Sequence, residues 1–319
     1  MAQGSAAAVR RGQVTAIHSI DRFAISVPEL GAARRFFTAF GLDVRDVGGG
    51  LALYTQGGDH CWATVHETGG PKKLQYLSFG AYPEDIEPLV KRARELGVAL
   101  EAPHPLSDGS GVWMRDPDGI AVQLVAAPKV TPSSATPMAP PAASVNAIGV
   151  PIAPARSSGG QVRPQRLSHV LLFCTDVPRS LRFYEDVLGL RLSDRSQDLI
   201  AFTHGAHSSD HHLLALVKSE APGLHHSSWI VRNVDEIGQG MEQMLAAGFT
   251  EGWGVGRHVI GSNYFYYARD PWGSFAEFSC GIDYIDAATE WPAGDYPPED
   301  SFYLWGPPVP EYFTANHEA

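Results

Sequence analysis

Residues 257–277 read RHVIGSNYFYYARDPWGSFAE. The aromatic run Tyr264–Ala268 predicts a strand, Asp270-Pro271-Trp272-Gly273 is turn punctuation, and β-forming residues resume beyond it, so the stretch predicts a hairpin. Its second strand carries Glu277 among Phe275, Ala276, Phe278 and Cys280. A carboxylate in an apolar strand is costly to desolvate unless it is paired or bound to a metal. Glu277 is therefore the residue that the rest of the chain has to account for.

Outward from the hairpin, the chain repeats itself. DPWGSFAEFS echoes an earlier DPDGIAVQLV, and FYEDVLGLRL echoes FFTAFGLDV. Residues 15–127 read as a strand around Phe23–Val27, a helix over Leu30–Phe40, and strands near Leu42–Val44, Leu51–Tyr54 and Trp62–His66. A second unit follows, with a strand at Leu74–Phe79, a helix over Glu84–Leu96 and a last strand at Ile120–Val125. Residues 166–281 predict the same order: a strand at His169–Cys174, a helix over Arg179–Leu188, three short strands, a fourth unit from Leu224 with a helix over Val234–Ala247, and the hairpin. Duplication at this period predicts an α+β fold of four strand–helix–three-strand units in two domains. A glycine after each helix (Gly41, Gly97, Gly189, Gly248) supplies a left-handed cap.

Between the blocks, residues 128–165 are rich in Pro, Ala, Ser and Gly and predict a linker. Residues 1–14 read as a disordered leader without the apolar core of a signal peptide, and 282–319 as an aromatic and Pro-rich extension wrapping the second domain. The formal charge of −11 argues against a nucleic-acid partner. No apolar stretch is long enough for a membrane span. Cys61, Cys174 and Cys280 are odd in number and widely spaced, which points to buried free thiols in a reducing cytoplasm.

His169 opens the first strand of the second block, His226 opens its fourth unit, and Glu277 lies in its last strand. Two imidazoles and one carboxylate on one face, leaving positions open, is the ligand set of mononuclear non-haem Fe(II) oxygenases. With these residues, the four βαβββ units and the DPWG hairpin, residues 15–281 resemble the vicinal oxygen chelate superfamily, and within it the two-domain type I extradiol catechol dioxygenases. The resemblance implies that each domain is an open, funnel-like mixed β-barrel with helices outside. It also implies that His169, His226 and Glu277 bind iron, with His226 chosen from the His225-His226 doublet and His225 expected on the opposite strand face. Three further positions carry over: His212 as an acid–base histidine beside the metal (with His211 adjacent), and His258 and Tyr267, nineteen and ten residues before Glu277. A histidine titrating near neutrality suits proton transfer to and from a catechol and O2. Fe(II) is favoured over Mn(II) on family grounds alone, and a homo-oligomer is implied.

In the first block, Arg22, Gln75 and Gln123 align with His169, His226 and Glu277, so one metal per chain is expected. His204 and His207 read as solvated loop histidines, and Trp253, Phe265 and the aromatic extension as the border of a substrate pocket. Two rival functions use the same fold: a glyoxalase-type metal-dependent isomerase or transferase, and a non-catalytic module that sequesters an aromatic ligand. The first rival often draws ligands from both halves or from paired chains, and the second has no use for a complete ligand triad.

Overall fold

The computed structural model describes residues 10–139, 148–149, 153, 155 and 159–319. The first unit is β1 (Ile17–Val27), α1 (Leu30–Ala39), β2 (Asp43–Val47), β3 (Gly50–Tyr54) and β4 (Ala63–Glu67). The second is β5 (Lys73–Ala81), α2 (Pro83–Glu95), β6 (Val112–Arg115) and β7 (Ala121–Ala126). Here the repeat is shortened: the strand expected first after the helix survives as a single bridge, Glu101 to Trp113. The segment that should form it, EAPHPLSDGSG, is made of turn formers.

The third unit is β8 (Arg166–Cys174), α3 (Val177–Asp186), β9 (Leu190–Ser196), β10 (Ile200–Gly205), β11 (Ser209–Asp210) and β12 (Leu214–Lys218). α3 starts two residues before the predicted Arg179, because Asp176 caps the Arg179 amide and Pro178 fits the first turn. The fourth unit is β13 (Gly223–Ile230), α4 (Val234–Ala246), β14 (Gly252–His258), β15 (Tyr264–Arg269) and β16 (Phe275–Cys280). The extension adds β17 (Tyr284–Ile285), β18 (Gly294–Asp295), α5 (Pro298–Ser301), β19 (Tyr303–Trp305) and a 3₁₀ turn, Glu311–Thr314. The glycines after the four main helices have φ of +97, +76, +77 and +90°, the left-handed region their predicted cap requires.

Two mixed sheets result, with strand orders β2-β3-β4-β1-β5-β7-β6 and β18-β9-β10-β12-β8-β13-β16-β15-β14-β19. The central pairs β1–β5 and β8–β13 are antiparallel, and each of these strands has a parallel neighbour on its other side. β18 and β19, both from the extension, add to the two edges of the second sheet. One hydrophobic core runs through both halves. Phe40 after α1 stacks on Phe278 of β16 at 3.9 Å, and Phe36 meets Phe249 edge-on. Aromatic pairs of this kind add about 0.5–1.5 kcal/mol to the area they bury.

The expected leader and the expected linker both contain packed ends. Residues 1–9 of the leader lie outside the described residues, but Arg10 sits over the Tyr82 ring and binds the Asp85 carboxylate at 3.1 and 3.2 Å. At the start of the linker, the Val130 and Thr131 amides donate to Ser19 Oγ. At its far end, Val162 is buried and its amide donates to Gln243, whose own amide donates to the Ala39 carbonyl. Much of the linker between these points lies outside the described residues. No helix among the described residues is long and apolar enough to cross a membrane.

Candidate metal centre

On adjacent strands of the second sheet, His169 of β8, Ser228 of β13, Glu277 of β16 and Tyr267 of β15 form one cross-strand row. His226 lies two residues along β13 from Ser228, which returns its side chain to the same face. As a result His169, His226 and Glu277 each present a ligand atom, all within 4.8 Å of one another, and all three residues are buried. His169 Nε2 is 3.3 Å and His226 Nε2 3.7 Å from Glu277 Oε2.

Both His226 Nε2 and Glu277 Oε2 are buried without a hydrogen-bond partner. Leaving such atoms unpaired costs about 1–3 kcal/mol each, more for a charged group. A divalent cation between them would satisfy both, so the donor set fits a metal ion. The opposite ligand atoms are anchored. Asn263 donates to Glu277 Oε1 at 3.0 Å. His169 Nδ1 lies 3.3 Å from Ser168 Oγ, which donates to Asp210, itself clamped by Arg166 at 2.6 and 3.0 Å. His226 Nδ1 lies 2.7 Å from His225 Nδ1.

The two histidine donors, His169 and His226, and the Glu277 partner Asn263 line a cavity of about 220 Å³. Its walls include Leu171, Phe173, Phe202, Ile260, Phe302 and Phe313, and Lys218 stands at the rim. His212, His258 and Tyr267 also line it. The His212 ring lies tilted 4.0 Å from the His169 ring, whereas His211 turns away to Asp194 at 2.7 Å. His258 Nε2 is 2.9 Å from the Tyr267 hydroxyl, and its Nδ1 donates to the Phe302 carbonyl at 2.8 Å. That carbonyl can only accept, so neutral His258 keeps its Nε2 lone pair for the phenol proton.

Burial, and then the neighbouring imidazoles, push His212 and His226 well below the usual histidine range. Burial also lowers His258, although the Glu277 charge acts in the other direction. Burial and the Glu277 carboxylate raise the Tyr267 phenol well above its ordinary value. The cavity therefore offers neutral imidazoles and a protonated phenol at physiological pH.

The structure corrects four details of the sequence reading. His225 does not point to the other strand face: a bulge in β13 between Leu224 and His226 turns both rings into the cavity. In the first sheet the position equivalent to His226 is Tyr76, not Gln75, because Tyr76 pairs with Ala121 as His226 pairs with Phe275. His204 and His207 are buried instead of solvated, with His204 Nδ1 bonded to Ser193 Oγ. Trp253 and Phe265 do not border the cavity but pack behind His258 and Tyr267, while the extension contributes Ser301, Phe302, Phe313 and Thr314. Asn263 and the Ser168–Asp210 anchor were not foreseen. The only local signal was a turn-forming Asn between Ser262 and Tyr264.

The model of the Glyoxalase/Bleomycin resistance protein/Dioxygenase superfamily matches residues 19–124 and 166–278, most of both sheets. The chain belongs to this superfamily. Among its members, Metapyrocatechase 2 of Cupriavidus necator is 52% identical over 304 residues, covering 95% of this chain and 93% of the relative. The Mn(II)-bound glyoxalase from Novosphingobium aromaticivorans superposes with a TM-score of 0.75 at 21% identity, over 95% of this chain and 96% of that one. A homoprotocatechuate 2,3-dioxygenase variant from Brevibacterium fuscum superposes at 0.74 and 19% identity, over 96% and 84%. The two structures share the superfamily fold, and the Cupriavidus relative extends the likeness to sequence along nearly the whole chain.

Proposed function

We propose that this chain is an extradiol ring-cleaving dioxygenase acting on a catechol, with His169, His226 and Glu277 as the ligands of a single Fe(II). The observation that carries the metal reading is the pair of unpartnered buried atoms, His226 Nε2 and Glu277 Oε2, converging with His169 beside a largely apolar cavity that both histidines line. The likeness to a metapyrocatechase along nearly the whole chain supports the reaction class. When bound, iron supplies a Lewis acid for the diol oxygens and a redox partner for dioxygen, as the open two-histidine, one-carboxylate set does elsewhere.

The remaining residues handle protons and water. The aromatic walls keep the cavity dry, which strengthens every polar contact inside it. Tyr267 offers its hydroxyl to a diol oxygen, and His258 Nε2 stands ready to take the proton relayed through it. His212, against the His169 ring, supplies a second proton-handling imidazole at the cavity wall. In the net reaction the carbon–carbon bond beside the diol breaks. Each severed carbon gains one oxygen atom of O2, giving a 2-hydroxymuconic semialdehyde-type product.

An isomerase of the glyoxalase type is supported less well, because all three donors come from one sheet and the His258–Tyr267 pair stands beside them. Protein loaded anaerobically with Fe(II), then exposed to O2 with a panel of catechols, is expected to consume O2 and form a yellow ring-opened product. His226→Ala and Glu277→Gln are expected to lose both. No O2 uptake with any catechol, in protein holding one metal ion, would sink the dioxygenase reading.

A further inference from the structure

Successive side chains on a regular strand point to opposite faces, so neighbouring histidines do not ordinarily share a cavity. The bulge in β13 makes His225 and His226 do so, with their Nδ1 atoms 2.7 Å apart. Two neutral imidazole nitrogens at that distance share one hydrogen, and the next contact outward decides which of them carries it. His225 Nε2 lies 2.7 Å from the carbonyl oxygen of Phe313. A carbonyl accepts and never donates, so the single hydrogen of neutral His225 is on Nε2 and its Nδ1 is bare. His226 must then donate from Nδ1. Its lone pair is left on Nε2, the buried atom without a partner that faces Glu277.

We propose that His225 is a positioning residue that locks His226 in the Nδ1–H tautomer, and that the C-terminal extension anchors this device through the Phe313 carbonyl. The inference rests on His226 being a metal ligand. Packing alone does not account for the imidazole: its ring sits among Phe173, Phe275 and Phe313 at 5.1, 5.4 and 4.8 Å, a space a phenyl ring would fill as well. What phenylalanine lacks is the acceptor and the donor on opposite sides of the ring. In the first sheet Tyr76 has no imidazole tautomer to set, and Gln75 instead donates to Ser26 Oγ at 2.8 Å.

The test is anaerobic titration of the metal-free full-length protein with Fe(II) and, separately, Co(II), in the wild type, His225→Phe and His225→Gln. Glutamine can accept from His226 Nδ1–H through its amide oxygen and donate to Phe313 through its amide nitrogen. Loss of an outer partner of a metal-bound histidine typically weakens binding about 10–100-fold, the loss expected for His225→Phe, while His225→Gln should recover most of it. Long-range ¹⁵N–¹H spectra of histidine-labelled, metal-free wild type should show His226 protonated on Nδ1 and His225 on Nε2. Wild-type affinity in folded His225→Phe, or a His226 hydrogen on Nε2, would overturn the inference. So would a loss in His225→Gln as large as in His225→Phe. If His225→Phe does not fold, the wild-type spectrum and the glutamine variant still decide. Metal binding untouched by Glu277→Gln would instead overturn the metal-centre reading itself, and this inference with it.

Discussion

In the second sheet, His169, Ser228, Glu277 and Tyr267 share one row across four strands; in the first, the same row reads Arg22, Ser78, Gln123 and Trp113. His226 corresponds to Tyr76. The backbones match, but the side chains do opposite things. In the first sheet Tyr76 and Trp113 meet edge to face at 5.1 Å, and Arg22 is paired with Asp21 at 2.9 Å, beside a smaller cavity of about 150 Å³ that Gln123 also lines. In the second, the His226 and Tyr267 rings meet at the same 5.1 Å, yet two polar atoms beside them remain unpaired. The outer contacts differ in sign as well. Asn263 donates a hydrogen bond to the Glu277 carboxylate, whereas Gln123 donates to the Ser110 carbonyl. The fold provides the row; a metal centre also needs donor atoms left unpaired and outer partners of the right polarity.

The comparison can be broken most sharply at Glu277. Glu277→Gln copies the first sheet's side chain, and it should cost at least about 100-fold in Fe(II) affinity, beyond the range for losing an outer partner. Metal analysis after dialysis checks this. Tyr267→Phe should leave metal content unchanged and lower kcat/KM about 10–100-fold, the worth of one hydrogen bond to a charged group. Steady-state kinetics beside metal analysis separates the two effects.

The remaining changes act on stability. Lys72, from the segment entering β5, is buried against Glu318 of the extension, which also accepts from the Leu74 and Leu224 amides at 2.7 and 3.2 Å. Glu318→Gln leaves that ammonium buried without its counter-charge and should cost about 3–5 kcal/mol in denaturant unfolding. Gln123→Glu sets a carboxylate against the Ser110 carbonyl. It should bind no second ion and destabilise the protein by about 1–3 kcal/mol.

Much of this contrast is legible in the chain itself. Glu277 stands out because a carboxylate among Phe275, Ala276 and Phe278 violates the apolar strand pattern, and the repeated DP-x-G turns fix which strands correspond. Helix ends are readable because each is followed by a glycine whose lack of a side chain suits a positive φ. The bulge at Leu224–His226, which β5 repeats between Leu74 and Tyr76, is not readable: it leaves the local composition unchanged, so the alternation of a regular strand sends His225 to the wrong face. Contacts distant in sequence are equally hidden. Nothing near Phe302 or Phe313 announces that their carbonyls hold His258 and His225. Likewise, Arg10 reads as leader until Tyr82 and Asp85 are brought beside it.

The most direct test is crystallography of the Fe(II)-loaded protein, with anomalous maps recorded on either side of the iron absorption edge. The account predicts one peak per chain, bounded by His169 Nε2, His226 Nε2 and Glu277 Oε2, and none beside Tyr76 and Gln123. A peak in the first sheet, or iron bound away from Glu277, would contradict it.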